Sequence, residues 1–164
     1  MSTTTYSGEE NLVIRGPLAV GSDHAGFPMK MRVIEWLKEL GIEVNDFGTY
    51  DEVRTDYPDF GAKVAKAISN GHYQHGILIC ASGIGMSIVA NKFKGVRAAL
   101  CTTEYAAEYC RRHNNANIFV IGGRTTPEVF ARRFLHIWLK TAYEGGRHDG
   151  RVNKINALPD CTDE

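Results

Sequence analysis

The sequence has no apolar run near the roughly 18 residues that a membrane-spanning helix needs. Its first sixteen residues carry no apolar h-region of the kind a secretory signal requires. It also lacks an excess of either charge, with 19 lysines and arginines against 19 aspartates and glutamates. Nucleic acids and anionic membranes are bound by clustered basic excess, so this balance argues against both partners. Cysteine is sparse: Cys80, Cys101, Cys110 and Cys161 form neither a C-x-x-C pair nor a zinc spacing. Reduced thiols in a cytoplasmic protein are the expectation, with no metal and no cofactor. His72 and His75 have metal-like spacing but no cysteine or carboxylate pair nearby, and read as solvated histidines. Internal repeats and low-complexity tracts are missing as well.

What is there fits one domain. The 164 residues are 43% hydrophobic and 23% charged, ordinary globular values. At this length folding hides roughly 68–70% of the unfolded surface, so a core forms without disulfide or metal staples. Residues 1–16 read as a disordered tail, 17–158 as the domain and 159–164 as a second short tail. Five short apolar runs alternate with helical patterns: Leu18-Ala-Val20, Ile42-Glu-Val44, Gly76-Ile-Leu-Ile-Cys80, Val96-Arg-Ala-Ala-Leu100 and Asn117-Ile-Phe-Val-Ile121. Phe27, Met31, Ile34, Leu37 and Leu40 recur at helical spacing, and Gly41 fits the position just past a helix end. Further helical patterns lie near 58–70, 85–93, 103–112 and 126–141, the last opening on a capping-box spacing, Thr125-Thr-Pro-Glu128. Alternation without hairpin signals predicts a five-stranded parallel, doubly wound sheet in a three-layer α/β/α sandwich, a Rossmann-like α/β fold.

Ligands in such sheets lie outside the carboxyl ends of the strands. Ser22-Asp23-His24, Cys80-Ala-Ser-Gly-Ile-Gly85, Cys101-Thr102 and Gly122-Gly-Arg124 stand there. The run from Cys80 is the most informative. A buried strand enters a Gly-rich turn and then a helix, which presents backbone N–H groups at the positive end of that helix. Ile88 replaces the third glycine of a dinucleotide fingerprint, and no G-K-[ST] ending makes it a Walker loop. It reads either as a tight strand–helix turn beside a buried thiol or as an anion site with a thiol poised as base or nucleophile. Asp23 could be only a helix cap, and His113-Asn114 only a helix end. Arg147 and Arg151, four apart, could decorate a solvated face or clamp a phosphate. Asp46-Phe-Gly48 matches a kinase tripeptide by coincidence, because no Gly-rich loop or H-R-D accompanies it.

Several segments together resemble type B ribose-5-phosphate isomerases, a family that also holds galactose-6-phosphate isomerase subunits. They are Gly21-Ser-Asp-His-Ala-Gly26, Arg54-Thr-Asp-Tyr-Pro58, Ser82-Gly-Ile-Gly-Met-Ser-Ile88, Ala90-Asn-Lys92, Arg112-His-Asn114 and Tyr143-Glu-Gly-Gly-Arg-His148, from about Leu18 to about Ile155. The resemblance implies a metal-free aldose–ketose isomerase of ribose 5-phosphate, working as a homodimer, with a tetramer as a larger form. It implies Cys80 as the base and Ala81, Ser82, Gly83, Ile84 and Gly85 as the cradle of the enediolate oxygens. His113 would be the ring-opening acid, with Asp23, Tyr57 and Asn114 on sugar hydroxyls. His24, Arg124, Arg147 and Arg151 would take the phosphate. The family has glycine after the cysteine where this chain has Ala81, whose Cβ resists positive φ and close backbone approach. The resemblance also places His113 near a dimer contact, so each site is expected to draw on two chains. The alternatives are an isomerase of a six-carbon sugar phosphate and an inactive flavodoxin-like binding module.

Overall fold

The computed structural model describes residues 11–158. Five parallel strands alternate with helices: β1 (Leu18–Ser22), α1 (Phe27–Glu39), β2 (Val44–Asp46), α2 (Tyr57–Ser69), β3 (His75–Cys80), α3 (Ile84–Ala90), β4 (Ala98–Leu100), α4 (Glu104–Arg112), β5 (Ile118–Gly122) and α5 (Glu128–Lys140). A 3₁₀ turn at Gly146–His148 then leads into α6 (Asp149–Asn156). The strand order is β2-β1-β3-β5-β4. β1 and β5 are buried along their whole length, and β3 is buried from Gly76 onward. Their uninterrupted apolar sequences suit strands covered on both faces.

Alternate residues of each strand feed two separate cores. On one face Ile77 and Ile79 pack with α1, α4 and α5 through Val33, Leu37, Ala107, Leu135 and Trp138. On the other, Leu78 and Cys80 pack with α2 and α3 through Val64, Ile68, Met86 and Ala90. This is the three-layer α/β/α sandwich expected from the sequence.

Local chemistry moves some boundaries. Gly41 takes φ +71°, its N–H donates to Lys38 O, and Ile42 N–H donates to Leu37 O. That pair of bonds closes α1 in a Schellman cap and uses Ile42, so β2 begins only at Val44. The capping box at Thr125 does not form. Thr126 N–H bonds Gly122 O in a turn, and Pro127 is the residue that caps α5. Part of the stretch expected to be a disordered tail packs on the domain. Ile14 is 2% exposed, and the N–H groups of Val13 and Ile14 both donate to Leu139 O at 3.0 Å. Burying one isoleucine against the end of α5 orders this stretch. Residues 1–10 and 159–164, Cys161 among them, lie outside the described residues.

Asp46, the first residue of the kinase-like tripeptide, has a structural task. Lys30 is fully buried, and its Nζ donates to both Asp46 carboxylate oxygens at 2.6 and 2.7 Å and to Thr49 O. This pair anchors the start of the loop that carries Thr55 to Tyr57. His75 is not a solvated histidine. It is half-buried, edge-on to Trp138 with ring centroids 5.7 Å apart.

Candidate active site

Cys80 ends β3 at 5% exposure, and its Sγ accepts the backbone N–H of Gly83 at 3.1 Å. An N–H aimed at sulfur supports negative charge there. The bond exists because Gly83 caps α3 at φ +79°, a conformation open to glycine without cost. Ala81, by contrast, does not need such a conformation. Among the described non-glycine residues only Asn115 has positive φ, so the Cβ at position 81 brings no backbone strain. Ser82 Oγ accepts from Ile84 N–H at 3.3 Å and steadies the turn.

Glycines bring the other strand ends up to this thiol. A Cβ on Gly26 would lie 2.5 Å from Ile79 O, so only glycine lets the start of α1 press on the end of β3. Asp23 sits in that contact, 6% exposed, with its N–H on Ile79 O and its Oδ1 accepting from Gly26 N–H at 2.8 Å. A Cβ on Gly122 would lie 2.7 Å from the carbonyl carbon of Ser82, so the chain after β5 lies flat on the Cys80 turn. Gly123 N–H donates to Cys80 O at 2.8 Å and Arg124 N–H to Ala81 O at 3.0 Å. Tyr57 opens α2 with its ring over Gly85, where a Cβ would meet the ring at 2.7 Å. His24 joins through the same loop, its Nδ1 accepting Thr55 N–H at 3.2 Å. Asp23, His24, Tyr57, Ala81 to Gly85 and Arg124 are thereby gathered around Cys80.

Four predicted residues are elsewhere. His113 caps the carboxyl end of α4, and Asn114 begins the turn that feeds the amino end of β5. Arg147 lies in the 3₁₀ turn and Arg151 in α6, both exposed. The His113 ring stacks on His148 at 4.1 Å and 13°, and its Nε2 lies 3.7 Å from Glu144 Oε2. Arg147 Nε donates to His148 Nε2 at 3.2 Å. Burial first, then the charges of His113 and Arg147, hold His148 below its ordinary pKa. Three ligand atoms from His113, Glu144 and His148 lie within 4.8 Å of one another, a spacing that could hold a metal ion. Arg112, at 3.4 Å from Glu144, and Arg147 beside His148 make that corner unfavourable for another cation.

Thr55, Glu144 and His148 escaped the sequence reading as individual residues, although all three lie inside segments that carry the resemblance. Their only signal was adjacency to Tyr57 and Arg147. Cys101 and Cys110 are packing residues, buried in the other core with their sulfurs 3.9 Å apart.

The model of the ribose/galactose isomerase family matches residues 18–155. The chain is 44% identical over 141 residues to ribose-5-phosphate isomerase B of Escherichia coli (strain K12), covering 86% of this chain and 95% of that protein. It is 39% identical over 140 residues to a protein of Pectobacterium atrosepticum named D-erythrulose-4-phosphate isomerase, covering 84% and 91%. Among solved structures, ribose-5-phosphate isomerase B of Clostridium thermocellum superposes with a TM-score of 0.84 at 46% identity, covering 85% of this chain and 95% of that one. The type B enzyme of Trypanosoma brucei also gives 0.84, at 41% identity, covering 88% and 99%.

Proposed function

Because the chain belongs to the ribose/galactose isomerase family, we propose that it is an aldose–ketose isomerase interconverting ribose 5-phosphate and ribulose 5-phosphate. The observation that carries this reading is the Cys80 thiol set against the Gly83 amide at the mouth of a Gly-rich turn. Such a turn stabilises an oxyanion next to the carbon that loses a proton, and each well-placed donor contributes on the order of 10²–10³ in rate.

The chemistry follows from that placement. His113 gives a proton to the ring oxygen as the C1–O bond breaks and the C1 hydroxyl loses its proton, leaving an open-chain aldehyde. The Cys80 thiolate takes the proton from C2, and the electron pair moves into a C1–C2 double bond with charge on O1. First-turn amides of α3 have no partner within the helix and can hold the enediolate oxygens. The proton on O2 then passes to O1, the thiol returns its proton to C1, and the carbonyl forms at C2. Asp23, Tyr57 and Asn114 bind hydroxyls. His24, Arg124, Arg147 and Arg151 receive the phosphate, where charge-assisted bonds are strongest.

This assignment requires a homodimer. His113, Asn114, Arg147 and Arg151 lie at the amino end of the sheet and Cys80 at the carboxyl end, so a second copy must supply one set to the other. Beside Cys80, α3 exposes Ile84 (54%) and Ile88 (61%) one turn apart, an apolar strip suited to such a contact. Among the described residues no helix is long and apolar enough to cross a membrane. A cytoplasmic sugar-phosphate enzyme accords with that.

The relative named for a four-carbon substrate favours a second reading, in which sugar length differs while the catalytic set stays the same. Turnover of four-, five- and six-carbon aldose phosphates in excess EDTA tests both. Ribose 5-phosphate should give the highest kcat/KM, unchanged by the chelator. No turnover of it beside a fast four- or six-carbon substrate would favour the second reading, and activity lost on chelation would overturn the cysteine-base mechanism.

A further inference from the structure

The segment Glu144-Gly-Gly-Arg-His148 wraps the His113 ring from two sides. Glu144 N–H donates to Arg112 O at 3.0 Å, which fixes the segment to the end of α4. Gly145 and Gly146 follow at φ +67° and +58°. Two successive left-handed residues turn the chain back over the ring it has just passed, and side chains there would be strained. The turn lays His148, 3% exposed, flat against His113. On the other side, Tyr109 of α4 meets the ring edge-on, with centroids 4.8 Å apart. A ring gripped in this way has little freedom to swing.

The charges around it are uneven. Arg112 stands beside it, ion-paired to Glu108 at 2.9 Å and to Glu144 at 3.4 Å. Arg147 lies behind His148, and Arg151 acts on His148 from α6. His148 uses Nε2 to accept from Arg147 and remains a neutral platform. Against three arginines, Glu144 is the one described carboxylate within ion-pair distance of His113 itself. It approaches Nε2. At 3.7 Å, beyond hydrogen-bond reach, a carboxylate favours through its charge the tautomer with N–H on Nε2, which leaves Nδ1 as the nitrogen that hands a proton away.

We infer that Glu144 is a positioning residue for His113, its charge 3.7 Å from Nε2 favouring the tautomer with N–H there and leaving Nδ1 to serve the sugar ring. This rests on the reading of His113 as the ring-opening acid. It adds the group that keeps the acid oriented and in one tautomer.

Glu144→Gln, nearly the same shape without the charge, tests it in the intact protein. For ribose 5-phosphate, kcat should fall on the order of ten-fold, about one pKa unit's worth of differential interaction, with KM within a factor of two. Glu144→Asp should recover most of that loss. In ¹⁵N NMR of the neutral ring, His113 should show Nε2–H in the parent protein and a mixture of tautomers in Glu144→Gln. An unchanged kcat, or the same tautomer in both proteins, overturns the inference. If Glu144→Gln fails to fold, Glu144→Asp with the parent tautomer but no more activity than His113→Asn also counts against it. Should His113→Asn keep full activity, the acid assignment itself fails, and the NMR comparison still reports whether the carboxylate holds the ring.

Discussion

Cys80 and His113 stand at opposite ends of β5. Cys80 pairs with Gly122, the last residue of that strand, whereas His113 closes the helix whose chain turns into Ile118, the first. Four steps of parallel strand separate the two levels by about 13 Å. A two-fold axis would bring each chain's His113 to the other's Cys80, twice per pair.

Mixing inactive parents should therefore restore activity. Cys80→Ala and His113→Asn chains, each nearly inactive alone, would form heterodimers with one doubly damaged site and one intact site. Under conditions that exchange subunits, such heterodimers should reach up to about half of the parent activity by this symmetry. Exchange confirmed by mass with no recovery would mean that the two residues act within one chain.

The thiols should differ sharply. Cys80→Ala should lower kcat by about 10²–10⁴ with little change in KM, as for loss of a base acting in the transition state. Cys101 lies in the opposite core, where Cys110 beside it and burial push its thiol up, so Cys101→Ala should keep near-parent kcat in a folded protein. Steady-state kinetics on the two variants decides the matter.

Glycine at 83 is required by space as well as by dihedral. A Cβ there would lie 2.5 Å from Leu100 Cδ1 and 2.9 Å from the Ile121 carbonyl carbon. Gly83→Ala should cost about 1–3 kcal/mol in urea unfolding and shift its N–H away from Cys80 Sγ. Gly41→Ala has similar φ but nothing within 4 Å, so it should cost only about 1 kcal/mol and leave activity intact.

Stability should fall in mild acid through His75. Burial first, then the charges of Arg111 and Arg97, lower its pKa from 6.5 to about 4. The folded protein resists protonating it while the unfolded chain does not. Its contribution is complete above pH 6.5 and is lost as pH falls through the window to about 4. Urea midpoints across that window should decline less steeply for His75→Phe, which retains a ring against Trp138.

The layered sheet was legible because short apolar runs such as Gly76–Cys80, too short for helices and alternating with helical patterns, fit strands covered on both faces. The Cys80 turn was legible because thiol, glycines and helix start are adjacent in sequence. Ile42 was misread because an apolar residue after Gly41 looks the same in a Schellman cap as in a strand. Ile14 was missed because a single isoleucine in a polar tail has no periodicity. The Glu144–His113 contact joins residues 31 apart, and it forms only once the turn at Gly145 and Gly146 folds the chain back over α4.

The sheet also limits how this protein can associate. Its two outermost strands, β2 and β4, are the shortest, with three residues each. A foreign strand would find only a few ladder bonds at either border, too little to template edge-to-edge aggregation. In the proposed dimer, copies of the chain would then meet through helix faces, whose side chains fix orientation. Such a restriction suits the proposed site, in which two chains would have to meet in one relative pose.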